Sequence, residues 1–177
     1  MIKDALSTLQ AQFGEAVGGQ ALFREQTSLV VTDLQQLVPI VTALRDTPGL
    51  EYLMLVSITA VDWYNQPEAP GTARFQVSYQ LLSLRYNHRL RLLVYWDEGD
   101  APIPSITSVY PSANWEERET WDMFGVEFSG HPDLRRLLMP PDWDGYPLRR
   151  DYPLGYETVQ FSFNVDEINK HKPFAKE

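Results

Sequence analysis

The densest run of side chains able to do chemistry is Glu116-Glu117-Arg118-Glu119-Thr120-Trp121-Asp122. Wound as a helix at 100° per residue, it puts Trp115, Arg118, Glu119 and Asp122 within one sector of about 100°, with Trp121, Met123 and Phe124 spread round the rest. Two chemical readings follow. Glu117, Glu119 and Asp122 could act as general acid and base or hold a hard divalent cation, which describes a free-standing carboxylate hydrolase. Alternatively they form an ion-pair network, with Arg118 binding Asp122 one turn on and Glu116 and Glu117 favouring the helix N-terminus. Such a network serves equally well at a protein interface, in an interaction module.

The remaining candidates are sparse. His88, His131 and His171 form no HExxH pair or other local metal signature. His88 falls in a turn and His171 in the tail, so both are expected in solvent. His131, before Pro132, is expected to bond to backbone, the alternative being a ligand or proton shuttle with Asp122 or Asp133. Isolated glycines give no phosphate-cradling loop, and no serine stands in a GxSxG context. Arg135-Arg136 and Arg149-Arg150 could grip phosphate, but each pair has an acid within two residues, so ion pairing is the better reading. Pairing within the chain or across a protein interface is therefore the common reading, no catalytic, cofactor-binding or metal-binding side chain is expected, and the candidate interface residues are Glu117, Arg118, Glu119, Asp122, His131, Arg135, Arg136, Trp143, Arg149, Arg150 and Asp151.

Composition narrows the classes further. The chain has 177 residues, 44% of them hydrophobic and 12% aromatic, which suffices for a packed core. The absence of cysteine rules out disulfides, thiolate metal sites, cysteine-ligated iron–sulfur clusters and thiol nucleophiles. A formal net charge of -9 argues against nucleic acid as a partner and against adsorption to anionic lipid. No apolar run approaches the roughly 20 residues of a spanning helix. An early acid, Asp4, and no apolar stretch after Lys3 predict the absence of a secretory signal, hence residence on the cytoplasmic side of any membrane.

The elements that must position these residues read as follows. Leu6, Leu9 and Phe13 predict a helix from Lys3 to Phe13, Gly18-Gly19 a turn, and Ala21 to Phe23 with Ser28 to Val31 a small hairpin. Leu34, Leu37, Val38, Val41 and Leu44 predict a second helix, capped by Asp33 and carrying Pro39 in its first turn or at a kink. Leu53 to Val61 is apolar on both parities and reads as an inner strand. Phe75, Val77, Tyr79 and Leu81, then Leu90, Leu92, Val94 and Trp96, alternate with more polar residues and predict a long antiparallel hairpin turning at Tyr86-Asn87-His88. A helix from Trp115 to Phe124 follows, with Asn114 and Glu117 spaced as a capping box and Gly125 at the stop. Beyond it Pro132, Pro140, Pro141, Pro147 and Pro153 forbid regular structure, while Leu134, Leu137, Leu138, Met139, Trp143, Tyr146, Leu148 and Tyr152 need cover, from the domain or from a partner. The fold class is α+β: a mostly antiparallel sheet with helices on one face over residues 1–111, then a signature helix and a proline-rich extended arm over 112–177.

Four stretches in order, Glu117-Arg118-Glu119, Asp122-Met123-Phe124-Gly125, His131-Pro132-Asp133-Leu134-Arg135-Arg136-Leu137-Leu138 and Pro147-Leu148-Arg149-Arg150-Asp151-Tyr152-Pro153, closely resemble the signature of the thirty-kilodalton subunit family of complex I. Val61-Asp62-Trp63 and the strands around it resemble the family more loosely. Gly145-Tyr146-Pro147-Leu148-Arg149, where many respiratory members have a second Gly-His-Pro-Leu-Arg, is similar to the cyanobacterial and chloroplast branch. The resemblance implies a hydrophilic-arm subunit without flavin, cluster or quinone site of its own, with the iron–sulfur clusters on partner subunits. It implies docking on the large quinone-site subunit, of the forty-nine-kilodalton type, and on the terminal-cluster subunit, of the twenty-kilodalton type. In the photosynthetic branch it further implies a proton-pumping oxidoreductase passing electrons from ferredoxin or NAD(P)H to plastoquinone, serving cyclic electron flow from the cytoplasmic or stromal side of the thylakoid membrane.

Overall fold

A computed structural model describes residues 4–24, 26–66 and 73–153, and the side chain of Phe23 is not among what it describes. The predicted contacts of His171 and of the rest of the tail lie outside these residues. Helix α1 (Ala5–Phe13) starts at Asp4, whose carboxylate accepts the Ser7 N–H at 2.8 Å, a side-chain cap that sets the boundary two residues later than the apolar spacing did. Strands β1 (Val17–Phe23) and β2 (Gln26–Val31) form the predicted hairpin but are longer than expected. Gly18 and Gly19 lie inside β1 rather than in a turn. The register slips there, and Gly19 adopts φ +53° with Val30 packed 3.2 Å from where a Cβ would stand, so the glycines serve a bulge.

Asp33 caps a short turn of 3-10 helix at Leu34–Gln36, and α2 (Leu37–Asp46) takes over directly, with Pro39 in its first turn where the missing N–H costs nothing. Leu37, Ile40, Val41 and Leu44 form its buried face. Strands β3 (Met54–Asp62), β4 (Phe75–Ser83) and β5 (His88–Trp96) complete a five-stranded sheet of order β1-β2-β5-β4-β3. All neighbours are antiparallel except β2 and β5, which run parallel because α2 and the β3–β4 pair make the crossover between them. Phe75, Val77, Tyr79 and Leu81 of β4 and Leu90, Leu92, Val94 and Trp96 of β5 are buried, as their alternation predicts. Among the described residues, no helix is long and apolar enough to cross a membrane.

Two expectations fail in this part of the molecule. His88 is not simply solvated, because its Nδ1 lies 2.7 Å from the hydroxyl of Tyr52, a buried tyrosine whose pKa is pushed up to about 12 by burial. Strand β3 is an edge strand, not an inner one. Leu55 and Ile58 both face the core although they stand on opposite parities, because the register slips between Leu55 and Ser57 and the bulge switches the parity; Met54, Val56 and Val61 remain exposed. Its free edge is covered by the next helix: Glu116 Oε2 accepts the Ile58 N–H at 3.0 Å, occupying a donor that an edge strand would otherwise offer to another chain.

Candidate functional site

That helix, α3 (Ala113–Phe124), is bracketed by the two-residue strands β6 (Ile103–Pro104) and β7 (Phe128–Ser129), which pair in parallel and hold the two ends of the connection together. Gly125 ends it in the left-handed region at φ +77°, its N–H donating to the Trp121 carbonyl, as the sequence predicts. The start differs. Ser112 is the N-cap and no side chain caps the helix, so Asn114 and Glu117 make no capping box. Glu117 points inward instead: one oxygen accepts the Ile106 N–H at 2.8 Å and the other the Ser105 hydroxyl at 2.6 Å, latching the β6–α3 segment onto the helix.

Glu117, Arg118 and Asp122 are all buried, so the expected polar stripe is not a solvent face. Only Trp115 and Glu119 stand out as an exposed ridge. The expected Arg118–Asp122 pair does not form, because both side chains turn to the proline-rich segment, which folds back over α3. Arg118 donates from Nε and Nη2 to the carbonyls of Arg135 and Arg136, both at 3.1 Å. Asp122 Oδ2 accepts three successive backbone N–H groups, from Leu137 (2.9 Å), Leu138 (2.7 Å) and Met139 (2.9 Å), while Oδ1 takes the Arg136 guanidinium at 2.7 Å. Burial alone would raise the Asp122 pKa, but these donors together hold it below the ordinary carboxylate range.

The prolines explain why this segment can wrap a helix. With no regular ladder to satisfy its backbone, it relies on side chains and stray carbonyls. Arg136 bonds the carbonyls of Trp143 (2.8 Å) and Gly145 (3.1 Å), and the Leu148 N–H bonds the Met123 carbonyl at 3.0 Å. Arg149 donates from Nε to the Phe124 carbonyl at 2.6 Å and packs 4.4 Å over the Tyr146 ring, placing a cation at the C-terminus of α3 where the helix dipole favours one. His131 sits where its sequence context predicts, bonded to backbone. Its Nδ1 accepts the Asp133 N–H, so Nε2 carries the hydrogen and donates to the Asn114 carbonyl at 3.1 Å, 4.0 Å from Glu117.

A second anchor lies at the far end of the arm. Asp62 Oδ2 accepts the Arg150 N–H (2.9 Å) and Nη2 of Arg74 (2.9 Å), its carbonyl accepts Arg150 Nε, and Arg74 reaches on to Asp151 at 2.6 Å. Glu98 pairs with Arg149 at 2.6 Å. Burial pushes the Asp62 pKa up, yet Arg74 and the N–H groups of Arg150 and Tyr64 more than offset it, and the net shift is downward. Asp62, Arg74, Glu98, Ser105 and Asn114 are not among the expected site residues. Their signal in the sequence is weak: an acid ending an apolar strand and an arginine opening the next one.

Of the expected interface residues, the fold gathers Glu117, Arg118, Asp122, His131, Arg136, Arg149, Arg150 and Asp151 into this intramolecular clasp. Trp143 is half-buried and enters it through its carbonyl, while Glu119 and Arg135 face solvent. Glu117 and Asp122 bind different groups and Glu119 faces solvent, so the three carboxylates do not converge and the carboxylate-enzyme reading is not favoured. Among the described residues no three His, Asp or Glu side chains form a set that could hold a metal ion. Gly125 is the clasp's tightest point. A Cβ there would stand 2.6 Å from Tyr146 Cε2 and closer still to Arg149, in a backbone region strained for any L side chain. Gly125→Ala is therefore expected to destabilise the chain by about 2 kcal/mol or more, read as a lowered urea midpoint with unchanged slope.

Comparison with known proteins gives the same assignment as the signature. Residues 30–158 match the family model described as respiratory-chain NADH dehydrogenase, 30 Kd subunit. The NADH-quinone oxidoreductase C subunit of Roseiflexus castenholzii is 46% identical over 97% of this chain and 95% of its own length, and that of Herpetosiphon aurantiacus 43% identical over 84% of each. Among solved structures, the trypsin-resistant fragment of Nqo5 superposes with a TM-score of 0.62 at 27% identity, over 72% of this chain and 97% of the fragment. A chain of an archaeal membrane-bound sulfane sulfur reductase shares the fold, with a TM-score of 0.65 at 19% identity over 97% of this chain and 93% of its own. A signature found as four separate stretches folds here into one clasp, and the chain carrying it belongs to the thirty-kilodalton subunit family of the respiratory-chain NADH dehydrogenase.

Proposed function

We propose that this chain is a cofactor-free structural subunit in the hydrophilic arm of a proton-pumping NADH-quinone oxidoreductase, peripheral to the membrane. In this reading it docks on the large quinone-site subunit (the forty-nine-kilodalton type) and on the terminal-cluster subunit (the twenty-kilodalton type), with the iron–sulfur clusters held by partner subunits. The observation that carries it is the clasp itself: the signature residues are spent on holding the arm against α3, the arrangement expected of a part that presents a shaped surface. The absence of cysteine agrees with clusters residing elsewhere in the complex.

The test is co-purification. A tagged copy expressed in the source strain and extracted in mild detergent is expected to elute with cluster-bearing subunits and NADH-oxidising activity, while the isolated chain shows no visible absorbance. Elution as a lone monomer, with stoichiometric Mn, Mg or Zn and a hydrolytic activity lost in Glu119→Gln, would overturn the proposal. Charge reversal must be chosen with the fold in mind. Arg149→Glu breaks the clasp, whereas the Arg135 side chain is 73% exposed, so Arg135→Glu tests docking alone and is expected to lower retention in the complex about tenfold.

A second reading, motivated by Tyr146 in the arm, assigns the complex to the photosynthetic branch, with ferredoxin or NAD(P)H as donor, plastoquinone as acceptor and the thylakoid membrane as its site. The relatives named for NADH and quinone support the first. Turnover of the purified complex with NADH, NADPH and reduced ferredoxin, each against plastoquinone and other quinones, separates the two.

A further inference from the structure

Arg118 is a buried cation without a carboxylate partner among the described residues. The residue is 7% exposed, two of its nitrogens donate to neutral backbone carbonyls, and its guanidinium lies 5.2 Å from the Trp115 ring centre. Among the described residues no Asp or Glu oxygen comes within 4.0 Å of it, and its Nη1 makes no hydrogen bond. Exposed Arg150 likewise bonds, among the described residues, only the Asp62 carbonyl through its guanidinium, but the other largely buried guanidiniums of the clasp differ. Arg136 has Asp122, Arg149 has Glu98, and Arg74 has Asp62 and Asp151. Carbonyl oxygens replace part of the lost hydration but leave the charge uncompensated, and a buried uncompensated charge is costly.

The same side chain opens onto a cleft. Arg118, Trp121, Leu134, Arg135, Arg136 and Pro141 line a cavity of about 450 Å³ between α3 and the arm. Among the described residues no carboxylate contributes to the lining. Arg136 is neutralised by Asp122 from behind and Arg135 by Asp133 at 2.8 Å in solvent, so the net positive charge facing the cleft is that of Arg118. The other walls are an indole, a leucine and a proline, with no lysine or hydroxyl of the kind that grips a small inorganic anion. A cleft of this size with a single cationic point and apolar walls suits a carboxylate carried on a peptide. On a chain of net charge -9, such a positive site favours an acid only at close range, which gives selectivity rather than general attraction.

We propose that the cleft between α3 and the arm is the docking pocket for one acidic side chain, Asp or Glu, on an apolar-flanked segment of a neighbouring subunit, which supplies Arg118 with its counter-charge. The inference rests on the assembly reading above and adds to it the pocket and the chemistry of what enters it.

The test places a photoreactive benzoylphenylalanine at Pro141, an exposed residue on the cleft, in the tagged full chain, and irradiates the purified complex. The expected product is a cross-link to a single peptide of a neighbouring subunit containing Asp or Glu. Replacing that acid with lysine should release the chain from the complex at a salt concentration the unmodified complex survives, with roughly tenfold lower retention. Arg118→Lys should keep retention and Arg118→Gln lose it. A cross-link to an acid-free peptide or to the chain's own residues overturns the proposal, as does no cross-link in a complex that still contains the chain. Tight binding of inorganic phosphate to the full chain at this cleft, measured by calorimetry and lost in Arg118→Gln, also overturns it in favour of a small-anion site. If the chain is missing from the purified complex, the assembly reading fails, and the pocket's assigned occupant with it.

Discussion

Asp122→Ala is expected to destabilise the chain by about 4 kcal/mol, within the range for breaking a buried, hydrogen-bonded ion pair. The substitution leaves the Leu137, Leu138 and Met139 N–H groups and the Arg136 guanidinium without their shared acceptor. Because the arm has no regular secondary structure to fall back on, the loss should be local first. Hydrogen exchange at residues 137–139 should accelerate by orders of magnitude while β4 and β5 stay protected. An Asp122→Ala chain within about 1 kcal/mol of the parent by urea unfolding, with those amides still slow, would contradict this account of the clasp. The sign of the pH dependence follows from the same contacts. Asp62 and Asp122 both have depressed folded-state pKa values, so their contribution is present above the ordinary carboxylate pKa of about 4 and is lost as pH falls through the lower, folded values. The arm is expected to loosen in acid before the sheet does.

Glu117 predicts the opposite slope. It has no exposed surface, and burial raises its pKa from 4.5 to about 7 despite the bonds from Ser105 and Ile106. A carboxyl group with a raised folded-state pKa costs nothing below the unfolded value. The cost grows as pH climbs from 4.5 to about 7 and is constant above that. At about 1.4 kcal/mol per unit this amounts to about 3 kcal/mol. Glu117→Gln keeps an acceptor for Ile106 and removes the charge, so it should flatten the stability profile across that window. At pH 8 the variant is expected to be the more stable of the two by as much as about 3 kcal/mol, and at pH 4 nearly equal to the parent. The hydroxyl of Tyr79, fully buried with no hydrogen-bond partner among the described residues, lies within reach of this charge and should show it as a tyrosine fluorescence or ultraviolet change with the same midpoint. Parallel stability curves for parent and variant between pH 4 and 8 would refute the assignment.

What could be read without the fold divides along a physical line. Periodicity marked the β4–β5 hairpin, α2 and the end of α3 at Gly125, because burial of one face leaves a local trace every second or every third to fourth residue. The same signal misplaced β3, since apolar residues on both parities indicate either two covered faces or one covered face whose parity a bulge switches, and only the register and the strand order distinguish them. The glycines at 18 and 19 read as a turn because a bulge and a turn ask for the same backbone freedom. In the site, the residue types and even the family signature were legible, but the pairing was not. A spacing of four on a helix made Arg118 and Asp122 partners, and the arm outcompeted that exposed geometry by offering three N–H groups and a guanidinium to one carboxylate in a buried setting.

The sequence by itself determined the family, the α+β class, the absence of thiol chemistry and part of the clasp's charged set (without Asp62, Arg74 and Glu98), all of which are properties of residue identity and short-range spacing. The tertiary structure alone decided where the charges go: Glu117 inward to Ser105 and Ile106, Asp122 to the backbone of residues 137–139, Asp62 to Arg150 some 88 residues away, and Arg118 to a cleft that no acid among the described residues lines. Long-range partners of this kind leave no periodic trace in the chain, because the distance between them is set by how the arm closes over the helix and not by the spacing along it.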